Sequence, residues 1–199
     1  MFEHLHNLRR AFNHLVKQHE EKKLFEERVD LLMDAINKKD GQTVTALFGD
    51  LAGSFLLTTS VYNDLLKAAI NTDDVGIFST VLGNSKPDYW FESKQSFDVP
   101  LVVTRQEHIL YVAIEAGSKA IALSLVKNKA VSIDKSGETD TASAWNDSVK
   151  RYDPPILLAN RKHMDEVVAV LEQRISEEAA AKAKQNKPKG GVVGGVTGE

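Results

Sequence analysis

Apolar residues recur along this chain at three- and four-residue steps, and two stretches break that period. Phe2, Leu5, Leu8, Phe12 and Leu15 form the first set and predict an amphipathic helix to about residue 20. The charged run Glu20-Glu21-Lys22-Lys23 follows, and a second helix is expected to about Lys38 with Val29, Leu32, Ala35 and Ile36 inward. Asp40-Gly41 is a turn signal, after which short helices and turns alternate to about residue 83. Residues 84–107 hold Pro87, Pro100, four aromatics (Tyr89, Trp90, Phe91, Phe97) and the β-prone run Leu101-Val102-Val103-Thr104. They predict a long loop with some extended structure. A helix pair is expected at about 108–129, a polar loop at 131–153 with Gly137 and Trp145, and a last helix pair at about 155–184. The glycine-rich end from Lys187 has no periodicity and reads as disordered.

The helical segments repeat. Leu31-Leu32-Met33-Asp34-Ala35-Ile36 and Leu65-Leu66-Lys67-Ala68-Ala69-Ile70 are nearly one string, 34 residues apart. With Ala35 and Ala69 as anchors, Ala113 and Ala159 align at further spacings of 44 and 46. Leu32, Leu66, Leu110 and Ile156 stand three residues before the anchors, and Leu47, Val81, Leu125 and Leu171 twelve after. A small anchor is what two crossing helices require, since a larger side chain would push them apart. One such pair cannot bury both its faces, so the unit works only as a stack.

The third block reads Leu110-Tyr111-Val112-Ala113-Ile114-Glu115-Ala116-Gly117, then Ile121-Ala122 and Leu125-Val126, then Asp134-Lys135-Ser136-Gly137-Glu138-Thr139. This resembles the ankyrin repeat, including its β-turn opening. The Thr-Pro start is reduced to a lone Pro155, the histidine after the leucine is missing, and two spacings exceed the usual repeat of about 33 residues. Roughly 11 and 13 extra residues therefore follow the second and third blocks. The expected fold is all-α: a solenoid of about four degenerate ankyrin-like helix pairs over residues 30–184. An N-terminal capping region at 1–29, two long inserted loops and a disordered tail at 185–199 complete it.

Composition narrows the chemistry. At 42% hydrophobic and 27% charged, the 199 residues can form a packed core, and a net charge of −3 gives no sign of a nucleic-acid partner. With no cysteine, disulfides and cysteine-bound zinc are excluded. No apolar run approaches the roughly 20 residues of a membrane span, and the first residues lack the order of a signal peptide. His4 and His6, and His14 and His19, miss the three- or four-residue spacing of a helical metal pair. Asp73-Asp74 reads as a turn and helix start. No catalytic residue, metal or cofactor is expected.

Function is therefore expected to lie in binding. Both insertions carry tryptophan, and Trp, Tyr and Arg dominate interface energies. Tyr89, Trp90, Phe91, Trp145 and Arg151 are the candidate partner-binding residues, with the alternative that the aromatics pack down and pin the long loops. The ankyrin resemblance implies a soluble cytoplasmic adaptor for another protein; one version of it is a bacterial effector delivered into a host cell. A structural subunit of a larger complex, or an enzyme with a pocket formed by the inserts, is the competing expectation.

Overall fold

The computed structural model describes residues 2–51, 53–83, 85, 88–96, 101–143 and 148–185. Eight helices and four strands lie within them. The helices are α1 (Phe2–Asn37), α2 (Gly41–Leu51), α3 (Thr59–Asn71), α4 (Val75–Leu82), α5 (Ile109–Glu115), α6 (Lys119–Lys127), α7 (Pro155–Arg161) and α8 (Asp165–Gln185). The strands are β1 (Trp90–Ser96) and β2 (Leu101–His108) before α5, and β3 (Gly137–Ser143) and β4 (Ser148–Arg151) before α7. The two helices expected before residue 38 are one. Lys and Glu are good helix formers, and the pairs Lys17–Glu21, Lys22–Glu26 and Lys23–Glu27 carry the helix through the charged run.

The four anchors are buried, at the centres of four helix–turn–helix units. The first helices α1, α3, α5 and α7 pack in series, and so do the second helices α2, α4, α6 and α8. Each turn is built alike. The residue four after the anchor is left-handed in every unit: Lys39 (φ 57°), Asp73 (55°), Gly117 (78°) and His163 (55°). Its N–H donates to the carbonyl three residues back, on Ile36, Ile70, Ile114 and Asn160. One residue later, Asp40, Ser118 and Met164 donate to the anchor carbonyls of Ala35, Ala113 and Ala159 at 3.0 Å. In the second unit the Thr72 hydroxyl supplies that bond to Ala69, at 2.7 Å. This is a Schellman-type helix end, which closes orphan carbonyls and reverses the chain. The units are also cross-linked: Asp73 Oδ1 accepts from the N–H groups of Ala120 (2.8 Å) and Ile121 (3.1 Å), capping the next unit's α6.

The all-α expectation is wrong. The two insertions are β-hairpins, and β2 of the first pairs with β3 of the second, giving one antiparallel four-stranded sheet in the order β1-β2-β3-β4. Residues 134–139, read as a β-turn opening, run into β3. Joining the hairpins edge to edge satisfies backbone groups that two separate loops would leave to water. Gly137 sits where β3 meets β2 and Tyr152. A Cβ there would collide with the carbonyl oxygen of Gln106 and come within 2.9 Å of the Tyr152 ring.

Candidate interaction surface

Residues paired across an antiparallel sheet share a face, and neighbours along a strand alternate. Phe91 therefore lies on one face with Glu107 and Gly137, and the next row on that face is Ser93, Arg105, Thr139 and Lys150. This face meets the first helices. Phe91 is 2% exposed, with the Lys67 ammonium of α3 5.2 Å from its ring centre and 3.6 Å from the Glu107 carboxylate. Tyr152, just after β4, stacks on Tyr111 of α5 at 5.2 Å and shares a 2.8 Å hydrogen bond with Thr139. Tyr89 is half-buried, edge-on to Tyr62 and Phe91, and its hydroxyl donates to Asn63 Oδ1 at 2.8 Å. Burial raises its pKa above 10.0. Tyr89 and Phe91 thus pin the first hairpin to α3.

The opposite face looks to solvent except at its base, where His108 is buried. It carries Trp90 beside His108, then the row Glu92, Gln106, Glu138 and Arg151, then Lys94, Thr104, Asp140 and Val149. Trp90 stands edge-on to His108 at 5.2 Å and remains 37% exposed. The Arg151 side chain is 85% exposed and only 3.9 Å from Glu138, a loose rim pair worth little energy. Val149 is exposed too. Trp145 lies outside the described residues. Of the five expected binding residues, then, two are anchors and two share one open face, about 15 Å apart by strand spacing.

Three groups that no sequence motif marks hold the base of this sheet. His108 is fully buried, with Nε2 2.7 Å from Asp88 Oδ1. Asp88 also accepts from the Ser132 N–H (2.7 Å) and hydroxyl (2.9 Å), tying the entry of the first hairpin to the loop after α6. Burial lowers the His108 pKa below 6.5, against the opposing pull of Asp88. Burial works to raise the Asp88 pKa, but the Ser132 and His108 hydrogen bonds outweigh it and hold the carboxyl below 3.8. The set is not a nucleophile triad. Ser132 bonds the carboxylate rather than the imidazole, and Nδ1 is enclosed without a partner. Nothing local flags it, because its members meet only through the fold.

Among the described residues, no three His, Asp or Glu side chains converge as a metal site, and no helix is long and apolar enough to cross a membrane. A cleft of about 300 Å³ lies between α3 and β1, lined by Asn63, Lys67, Phe91 and Glu107 among others. The chain matches no protein-family model, no curated protein and no solved structure.

Proposed function

We propose that this chain is a protein-binding module of degenerate ankyrin-like helix pairs, with the outer face of its sheet as the docking surface. The observation that carries this is the placement of Trp90 and Arg151 on one solvent face, built jointly by the two insertions. Both are residue types that anchor interfaces, and Glu92, Lys94 and Asp140 surround them with an exposed polar rim. The recurring left-handed turns and buried alanine anchors support the ankyrin-like reading of the scaffold.

The test is affinity capture from native extract with wild type beside a Trp90→Ala, Arg151→Ala double variant. Arg151 is largely in solvent and Trp90 is 37% exposed, so the variant is expected to fold, with circular dichroism as the check, and to lose the partner. Equal recovery of one partner by both baits rejects this face as the docking surface.

A further inference from the structure

The chain has a second exposed feature, on α1. Its C-terminal half faces the body through Phe25, Val29, Leu32 and Ile36. Its N-terminal half carries a different stripe. Phe12, Leu15 and Val16 are 66%, 63% and 41% exposed. At about 100° per residue, these lie some 120° around the axis from the body-facing stripe. In the sequence, Leu5 and Leu8 continue the same three- and four-residue steps. At 36 residues α1 is about 54 Å long against about 16 Å for the 11-residue α2, so its first half runs well beyond its helical partner.

Charge indicates the occupant. Residues 1–19 hold Arg9, Arg10 and Lys17 against Glu3 alone, in a chain of net charge −3. An apolar stripe on a helix segment whose polar positions carry an excess of basic residues matches an anionic lipid surface. A second copy fits poorly. The stripe spans two heptads before His19 and Lys22 interrupt it, short of the three or four a coiled coil needs. An antiparallel pairing of Leu8 with Phe12 would also set Arg10 level with its own copy.

We infer that the first half of α1 docks in the plane of an anionic membrane surface, lying on the bilayer without crossing it. It shares no residue with the sheet face, so the two readings stand or fall separately. The test is flotation of the full chain with phosphatidylcholine vesicles, with and without phosphatidylserine. The chain is expected to float with the phosphatidylserine vesicles, less so at high salt. Phe12→Glu with Leu15→Glu is expected to reduce the bound fraction roughly tenfold, with unchanged helical circular dichroism. Arg10→Glu should erase the preference for phosphatidylserine. Failure of the wild type to float overturns the inference, as does equal flotation of the double variant. So does a dimer, seen by light scattering, that Phe12→Glu converts to monomer, because the stripe is then a helix–helix seam.

Discussion

The guanidinium of Arg174 reaches from α8 across to the end of α6 and donates to four backbone carbonyls. These are Val126 (2.8 Å), Asn128 (2.9 Å), Lys129 (3.2 Å) and Val131 (2.6 Å). These are carbonyls that a helix end and its following loop leave orphaned, and the planar fork of arginine serves several at once. Arg174→Ala should cost about 1–3 kcal/mol in urea unfolding, since it strands the part-buried carbonyls of Val126 and Val131, while those of Asn128 and Lys129 can turn to water. Arg174→Lys should recover only part of that, because an ammonium has no matching fork. Equal stability of the lysine variant and wild type would reduce the role of Arg174 to charge alone. His108 and Asp88 set a pH dependence of definite sign. The folded chain holds His108 below 6.5, so the unfolded chain takes up that proton first and stability falls as the pH drops from about 6.5. Asp88, held below 3.8, adds a second loss as the pH falls through and beneath that value. The first loss should have a slope of at most about 1.4 kcal/mol per pH unit. Urea unfolding of wild type and His108→Gln between pH 7 and 5 checks it, and a variant keeping the full slope would assign it to other groups.

The helix–turn–helix unit is the element that the four left-handed residues define, and they do not bear its strain equally. Lys39 and His163 pay the steric cost of a side chain at positive φ, whereas Gly117 does not. Lys39→Gly and His163→Gly should each stabilise the chain by about 0.5–1 kcal/mol, and Gly117→Ala should destabilise it by a similar amount. Asp73→Gly should give no such gain, because it also removes the carboxylate capping α6. Thermal melts of the four variants decide this, and a stabilised Asp73→Gly would show the cap to be idle. The helix pairs were legible in the sequence because crossing helices demand a small residue at one place and leucine-like residues at fixed offsets. Gly117 even marks the turn. The hairpins were not legible. Glu92-Ser93-Lys94-Gln95 is exposed on both faces, so no period-two alternation separates a core side from a solvent side. Alternation survives only at the base, where Tyr89, Trp90 and Phe91 point by turns to the helices, to solvent and to the helices again. Three adjacent aromatics were therefore read as one site when the strand divides them. Arg174, Tyr152 and the Asp88–His108 pair find partners that no local pattern announces.

At the scale of the whole molecule, the sheet depends on the stack. Its inner face is held through Phe91 and Tyr89 against α3 and through Tyr152 against Tyr111 of α5, and much of its outer part is polar. A sheet with so little core of its own should be the least stable part of the fold, while α1 to α4 keep a buried cluster of Leu32, Ile36, Val44, Leu65 and Leu66 without it. In a quasi-linear stack, damage at one unit reaches distant ones only through the intervening interfaces. Gly137→Ala tests this, since its methyl group cannot fit between the Gln106 carbonyl and the Tyr152 ring without separating β3 from β2. Hydrogen exchange should show protection lost across β2, β3 and β4 and reduced in α5, with α3 and α4 retaining most of theirs. Uniform loss along the chain would mean that sheet and stack are one cooperative unit. The inferred docking face would then be a fixed part of the fold. If protection is lost locally, the surface bearing Trp90 and Arg151 can open while the helical stack stays folded, and a partner would lose affinity to the cost of ordering it.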